Sequence, residues 1–304
     1  MTNVLQLDAR MGGCPRYYFG NGSSLMYVPD SIPKCVAFVG YKAKSGKCPL
    51  IGTAFLVSLD IIERAWVQYY LVTAKHVIDA AANKSADGNV FLRFNSKDGG
   101  LTEVSLPCSE WLNHPTDPHV DVAVAVFPLD IDDSTLDHRI IGRENFMTEQ
   151  VKESHKIGPG LDVFLSGLFH MHAGVKKNIP IVRVGTVAAM PDEKIKTSTA
   201  EIDAYLIESR SIGGLSGSPV FVVPHETSQF FLLGLMRGHW DIDASAIDVD
   251  EEDAGGGSLK NVNMGIGIVV PAKRILEVLD HPKLIQKREQ DAKAWRLEHA
   301  PVED

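Results

Sequence analysis

Residues 212–220 of the chain read IGGLSGSPV, a glycine-rich turn that leads into an apolar run at 220–223. Glycines on both sides of Ser216 adopt backbone dihedrals that a larger residue would resist, so the chain can fold closely around the serine. Such a turn can direct several backbone N–H groups at one point, as an anion-binding site requires. Glycine and serine also fill ordinary loops, so the turn alone assigns no function.

Composition limits the class of protein. The 304 residues are 44% hydrophobic and 23% charged, which is typical of a soluble globular chain with one large domain or two small ones. No apolar run approaches the ~20 residues that span a bilayer, so no membrane partner is expected. The net charge of −9 argues against a nucleic-acid partner, because binding to phosphates requires a basic surface.

The cysteines indicate no metal site. Those at positions 14, 35, 48 and 108 show neither C-x-x-C spacing nor histidines at zinc-finger distances, so we expect no metal and no cofactor. A bridge between Cys35 and Cys48 stays open as an alternative. The N-terminal residues show no basic start followed by an apolar stretch, which predicts a cytoplasmic protein with reduced thiols.

Strand-like runs rich in valine, phenylalanine and tyrosine, separated by turn residues, predict a mostly β protein in two halves. The first half has runs at 35–39, 52–59, 67–73, 90–94 and 120–127, and the second at 162–166, 179–187, 204–207, 219–223, 230–236 and 263–270. Short helices are predicted at 76–82 and from Pro271, and a more polar one from Pro282 to about His299.

The same patterns predict the domain organisation. We expect an N-terminal arm at 1–32, a β-barrel at 33–135, a linker at 136–160, a second β-barrel with a helix at 161–280, and a polar helix or tail at 281–304. The acidic segment 241–260 lacks the glycine and the final glutamate of a calcium loop, and it predicts a solvated loop instead.

A serine nucleophile needs a base beside it and a group that orients the base. His76 follows an apolar strand and a small-residue turn, in the sequence TAKH at 73–76. Asp121 stands at the start of an apolar strand, and Asp117 is a nearby competitor in a proline-flanked turn. Each of these residues could be structural when taken alone.

Other histidines fit weaker hypotheses. His170 and His172 would share one face of a strand at i, i+2, but no third metal ligand is near, so a surface pair is expected. His225 and His239 are interpreted as loop residues.

In combination, the histidine, aspartate and serine motifs resemble those of the chymotrypsin/trypsin-like serine peptidases, especially their disulfide-poor bacterial branch. TAKH at 73–76 is similar to the family's T-A-x-H signature, DVA at 121–123 to D-[IVL]-A, and GLSGSP at 214–219 to G-x-S-G-[GS]-P. The resemblance covers about residues 33–280. It implies two antiparallel six-stranded β-barrels with C-terminal helices, and a serine endopeptidase that cuts exposed, extended polypeptide without a cofactor.

The resemblance also implies a role for each residue of the motifs. Ser216 would be the nucleophile, His76 the general base and then the acid, and Asp121 the residue that holds the imidazole tautomer. The backbone N–H groups of Gly214 and Ser216 would form the oxyanion hole.

Two arginines depart from the family's pattern. Arg237, after Met236, stands where the family usually has a small polar residue that supports the aspartate, and Arg210 matches the base of the specificity pocket. Arg210, Met236, Arg237 and Gly238 are therefore candidate pocket residues. Arginines in the pocket would favour an acidic residue on the acyl side of the cut bond, unless Glu208 or another acid neutralises them.

Two other functions stay open. One is a catalytically silent, protease-like module that binds peptides or partners in the same cleft. The other is an α/β-hydrolase esterase, but Ser218 occupies the last position of the G-x-S-x-G elbow which that fold requires. The sequence leaves the physiological substrate and the oligomeric state undetermined.

Overall fold

The computed structural model describes residues 16–18, 24–26, 28–62, 66–127, 135–197, 200–209, 213–225, 229–243 and 261–298. Its helices are α1 (Lys75–Lys84), α2 (Glu149–Ser154), α3 (Ala272–Leu279) and α4 (Pro282–Glu298). Its strands are β1 (Arg16–Tyr18), β2 (Ser24–Met26), β3 (Val36–Gly40), β4 (Leu50–Ile62), β5 (Trp66–Thr73), β6 (Asn89–Asn95), β7 (Leu101–Pro107), β8 (Leu112–Asn113), β9 (Ala123–Val126), β10 (Ile141–Gly142), β11 (Asp162–Gly167), β12 (Ile181–Ala189), β13 (Ile195–Lys196), β14 (Glu201–Ile202), β15 (Tyr205–Glu208), β16 (Pro219–Val223), β17 (Phe231–Asp243) and β18 (Asn261–Pro271). Short 3₁₀ turns lie at Ile32–Cys35, Cys108–Glu110, Arg143–Asn145 and His170–His172.

The first half of the chain forms an open sheet. Its strands follow the order β7-β6-β3-β4-β5-β9-β8, and β10 pairs in parallel with β4. The alternation of side chains decides which face is buried: Val90, Leu92 and Phe94 of β6 point into the core, and the residues between them are half-buried.

The second half forms a closed barrel in the order β11-β12-β15-β18-β17-β16, with antiparallel neighbours throughout. Side chains of one strand alternate between two cores. Val163 and Leu165 of β11 fill the barrel, whereas Phe164 points outward into the core that the barrel shares with the sheet. Phe164 stacks on Phe221 at a centroid distance of 5.1 Å, and Phe230 packs edge-on against both rings. Because successive side chains of β11 point to opposite faces, one face of the strand fills the barrel and the other forms an apolar interface with the sheet.

Polar contacts also link the sheet to the barrel half. Asn178, which precedes β12, is only 3% exposed. Arg93 Nε donates to Asn178 Oδ1 at 2.7 Å, and the backbone N–H of Asn178 donates to Asn95 Oδ1 at 2.6 Å. Hydrogen bonds of this kind fix the register of one unit on the other, because each buried polar group needs its partner.

The helices at the C-terminal end pack on the sheet. Ile275, Val278 and Leu279 bury one face of α3. Arg288 of α4 lies over the ring of Tyr70 at 5.8 Å, and it donates to the Tyr70 hydroxyl at 3.1 Å and to the carbonyl of Leu279 at 2.7 Å. No helix in the described part of the chain is both long and apolar enough to cross a membrane.

The structure confirms a mostly β chain with few helices and one closed six-stranded barrel. It does not confirm the second closed barrel. Among the described strands, β7 pairs with β6 alone and β8 with β9 alone, so the sheet stays open between its two ends.

Several local predictions need correction. The search for continuous apolar runs missed β7, in which apolar and polar residues alternate, and it missed the six-residue α2. Because β17 continues to Asp243, His239 lies in a strand rather than in a loop. His170 and His172 lie in a 3₁₀ turn and do not share a strand face.

Some predictions fall outside the described residues, namely those on most of the N-terminal arm, Cys14, Arg210, the acidic segment beyond Asp243, and His299. Cys35 and Cys48 are both free thiols, so the alternative of a bridge between them is wrong. His225 lies in a turn after β16.

Candidate active site

His76 and Asp121 leave the sheet side by side. His76 is the second residue of α1, just after β5 ends, and Asp121 precedes β9, whose Ala123 pairs with Thr73 of β5. The His76 Nδ1 atom lies 2.7 Å from Asp121 Oδ2, and the backbone N–H of His76 donates to Oδ1 at 2.9 Å. Both carboxylate oxygens therefore contact one residue, and Nε2 on the opposite side of the ring is left to meet other groups.

The environment of Asp121 keeps its carboxylate ionised. The residue is 8% exposed. Burial by itself raises its pKa, but the hydrogen bonds from His76 and the positive charges of His76 and Arg237 outweigh burial and hold the pKa below its ordinary value. An ionised carboxylate beside Nδ1 keeps the proton on that nitrogen, so that Nε2 can accept one.

The turn around Ser216 is built by glycine and by its own backbone. Gly217 has a φ of +84°, and a Cβ at this position would overlap the carbonyl oxygen of Thr53 and the hydroxyl of Thr73. The Gly217 N–H donates to the carbonyl of Met236 at 2.8 Å, and the Ser218 N–H to that of Leu215 at 2.9 Å. Only glycine fits the dihedral and the close approach together.

Two buried threonines of the sheet hold this turn. Thr53 donates its N–H to the carbonyl of Ser216 and its hydroxyl to the carbonyl of Gly214, both at 2.9 Å. The same hydroxyl accepts the N–H of Leu168 at 2.9 Å, and the Thr73 hydroxyl donates to the Thr53 carbonyl at 2.7 Å. The turn is thereby fixed against the end of β5, a few residues from His76.

Two N–H groups of the turn have no acceptor among the described residues. Within the described residues, neither the N–H of Gly214 nor that of Ser216 donates a hydrogen bond. Backbone N–H groups in folded proteins are nearly always paired. Two such groups on either side of one residue can together bind a developing negative charge.

The Ser216 hydroxyl contacts Arg237. Its Oγ donates to the carbonyl of Arg237 at 3.2 Å, and in the described part of the chain it makes no hydrogen bond to His76. Arg237 stands at a bulge in the pairing of β17 with β18, between Met236 and Gly238. Its side-chain Nε lies 3.4 Å from Asp121 Oδ2. Arg237 thus links Ser216, through its backbone, to Asp121, through its side chain.

A cleft of about 430 Å³ opens beside His76 and Asp121. Of the candidate pocket residues, Arg237 and Gly238 line it, whereas Met236 is fully buried in the core of the barrel. The remaining lining residues are Lys75, Asp79, Pro118, His119, Thr197, Ala200, His239 and Ile268.

Comparison with known proteins finds similarity in three dimensions only. No protein-family model matches the sequence, and no curated protein matches it. Among solved structures, the protein is similar to the apo form of the MamO protease domain from Magnetospirillum magneticum, with 16% identity and a TM-score of 0.49 over 83% of this chain and 99% of that one. It is also similar to the Drosophila Grass clip serine protease of the Toll pathway, with 12% identity and a TM-score of 0.47 over 90% of this chain and 75% of that one.

The first of these neighbours is a protease domain and the second is a clip serine protease. With TM-scores below 0.5, neither similarity assigns an activity or a residue role to this chain.

Sequence reasoning missed several residues of the site. Thr53 and Thr73 are fully buried polar residues inside apolar strands, and that pattern is the signal that could have found them. Lys75 and His119 line the cleft, but no sequence signal marks them beyond their position next to His76 and Asp121. His170 packs against the turn, with its Cδ2 2.8 Å from where a Cβ on Gly214 would stand, and burial lowers the pKa of its imidazole.

The described residues include no group of three or more His, Cys, Asp or Glu side chains placed to hold a metal ion.

Proposed function

We propose that the chain is a serine endopeptidase that hydrolyses peptide bonds through Ser216, His76 and Asp121. The observation that carries the proposal is the double hydrogen bond from His76 to the buried Asp121 carboxylate. It orients an imidazole next to a turn whose Gly214 and Ser216 N–H groups have no protein acceptor in the described part of the chain. Base, nucleophile and oxyanion donors are the groups that acyl transfer requires.

The proposed reaction proceeds in two halves. Ser216 Oγ attacks the carbonyl carbon of the peptide while His76 Nε2 takes its proton, and Asp121 stabilises the imidazolium. The carbonyl oxygen becomes an oxyanion that the N–H groups of Gly214 and Ser216 bind, an effect of about 3 kcal/mol per donor. Nε2 then gives its proton to the leaving amine, and water hydrolyses the acyl-enzyme by the same steps in reverse.

The edge of β17 offers a place for the substrate. In the described part of the chain, β16 and the turn before it bond to β17 as far as Met236, and β17 runs on along the cleft through Arg237 and Gly238. An extended polypeptide can bind beside such an edge through main-chain hydrogen bonds. In this proposal the region 33–135 carries the base and the carboxylate, and the region 161–280 carries the nucleophile.

One observation favours a second candidate, a catalytically silent module that binds peptides in the same cleft. The Ser216 hydroxyl donates to the carbonyl of Arg237 rather than to His76, and a guanidinium stands next to Asp121. Catalytic hydrogen bonds are often long or misaligned in unliganded enzymes and tighten only with substrate, so this geometry is compatible with both functions.

Reaction with a fluorophosphonate probe separates the two candidates, because the probe phosphonylates a serine only when the serine is activated. We expect the wild-type protein to be labelled at Ser216, as located by peptide mass spectrometry, and Ser216→Ala and His76→Ala to show no label. Ser154→Ala is the matched control, since this serine is exposed on α2 and should not affect labelling. A folded wild-type protein that stays unlabelled at Ser216 would favour the binding module.

A further inference from the structure

The guanidinium of Arg237 has donors that the described residues do not use. Nε is the nitrogen that approaches Asp121, and within the described residues neither terminal nitrogen makes a hydrogen bond. These two nitrogens carry four N–H bonds in a planar fork, which matches the two oxygens of a carboxylate. The side chain is 24% exposed and lines the cleft beside His76.

The acids that line the cleft are already engaged. Asp79 accepts from Lys75 at 2.6 Å, and Asp121 accepts both hydrogen bonds from His76. The other titratable lining residues are histidines. A carboxylate that enters the cleft can therefore pair with the unused N–H donors of Arg237, whereas the two acids of the lining already accept hydrogen bonds from Lys75 and His76.

Two further acids lie beside a small cavity that Asp121 and Arg237 also line. Asp117 and Asp203 line a separate cavity of about 10 Å³, enough for one water molecule. Asp203 is paired with Arg274, and Asp117 accepts the N–H of His119 at 2.9 Å. Neither residue lines the open cleft, so neither competes for a ligand there.

The position of Arg237 on β17 fixes which part of a substrate it would meet. Its carbonyl accepts the hydrogen bond of the Ser216 hydroxyl, so a group bonded to Ser216 lies next to Arg237. The acyl half of an extended substrate, which stays bonded to Ser216, would lie along Arg237 and Gly238. Gly238 leaves room for it, because a Cβ built there would contact nothing within 4 Å.

We propose that Arg237 makes this cleft a subsite for an acidic side chain, Asp or Glu, on the acyl side of the scissile bond. The proposal rests on the proposed function, because only a peptidase cuts a bond in the bound peptide. Binding of the acidic side chain at the subsite can be measured without cleavage. Arg237 determines specificity here through its terminal N–H donors, while its Nε faces the Asp121 carboxylate.

The experiment measures binding and cleavage separately. Fluorescein-labelled decapeptides of alanine, glycine and valine carry one Glu, Gln or Lys residue that is moved along the sequence. Fluorescence anisotropy with the Ser216→Ala protein, which cannot turn over, gives Kd for each peptide. We expect the best Glu peptide to bind about tenfold more tightly than its Gln twin, a contrast that shrinks as salt screens the charges.

Variants then assign the effect to one side chain. In the Ser216→Ala background, Arg237→Gln should abolish the Glu-over-Gln contrast and Arg237→Lys should keep part of it. Arg143→Gln is the matched control, because Arg143 is 52% exposed and lies away from the cleft. Equal binding of the Glu and Gln peptides, or preferred binding of Lys peptides, would overturn the subsite whether or not the variants fold.

The wild-type protein with the same peptides separates this proposal from the proposed function. Cleavage that occurs with no preference for Glu would refute the subsite and leave the peptidase intact. A Glu preference in binding without any cleavage would support the subsite and refute the peptidase.

Discussion

The open sheet and the closed barrel contribute to the candidate site in different ways. The sheet supplies functional side chains, His76 and Asp121, mounted where α1 and β9 begin. The barrel supplies the Ser216 hydroxyl and backbone groups: the N–H groups of Gly214 and Ser216, which have no acceptor among the described residues, and the carbonyl of Arg237, which accepts from the hydroxyl. A side chain can be removed without moving the chain, whereas a backbone site is lost as soon as the chain moves.

The contacts between the units matter for the same reason. Thr53 of the sheet holds the turn of the barrel through its N–H and its hydroxyl, and the rings of Phe164 and Phe221 pack in the shared core. The protein should therefore respond in two different ways to substitutions in the site. Deletions of side chains should affect chemistry alone, and changes to the turn should affect folding first.

The largest effect is expected from deleting one side chain in each unit. His76→Ala in the sheet and Ser216→Ala in the barrel should each lower kcat/KM by about three orders of magnitude or more, and the double variant should be no worse than either. Residues that act as one unit are not additive, because the second deletion removes nothing that still functions. Steady-state kinetics on a cleaved decapeptide measures all three variants.

Circular dichroism and thermal unfolding of the same variants provide the control, and we expect both to match the parent protein. Losses that multiply in the double variant would mean that the two side chains act independently, contrary to a shared step.

A smaller effect, now on stability, is expected from the backbone of the turn. Gly217→Ala adds a Cβ that overlaps Thr53 and Thr73 at a positive φ, so the free energy of unfolding should fall by about 3 kcal/mol or more. Gly238→Ala is the matched control, because its Cβ would meet nothing within 4 Å and should change stability by about 0.5 kcal/mol at most. Urea unfolding at neutral pH measures both. Equal stability of the two variants would show that the turn is not fixed by the sheet.

The sequence predicted the side chains that stand in local motifs, but not the backbone geometry that depends on distant segments. His76, Asp121 and Ser216 stand in short local motifs, and apolar runs separated by turn residues located most strands. Long-range geometry was not predictable in this way. The sheet ends at β7 and at β8, which do not pair with each other among the described strands, and the contact of Ser216 with the Arg237 carbonyl involves a residue at a bulge in β17. Such features arise from pairing between distant segments, which no local pattern encodes.

The smallest effect compares one buried acid from each unit. Burial raises the pKa of the Cys35 thiol, at the start of the sheet, from 9.0 to about 12, against a smaller opposing effect of Arg139. Burial also raises the pKa of Tyr205, in the barrel, from 10.0 to about 12. Each group stays protonated in the folded protein at pH values where the unfolded chain releases the proton. The contribution of each group to the free energy of unfolding is therefore complete below the pKa of the group in the unfolded chain. It is lost as the pH rises toward the pKa of the group in the folded protein.

Since the thiol has the lower unfolded pKa, the sheet should lose stability first. Between pH 7.5 and pH 10 the free energy of unfolding should fall by about 1.4 kcal/mol on account of Cys35. Urea unfolding at the two pH values measures this fall within each protein. The loss of stability from the cavity that Cys35→Ala leaves is the same at both pH values, so it cancels. Cys35→Ala should remove most of the fall, and Tyr205→Phe, the matched control in the barrel, should keep it. If Cys35→Ala retains the full dependence on pH, the thiol is not held protonated in the core of the sheet.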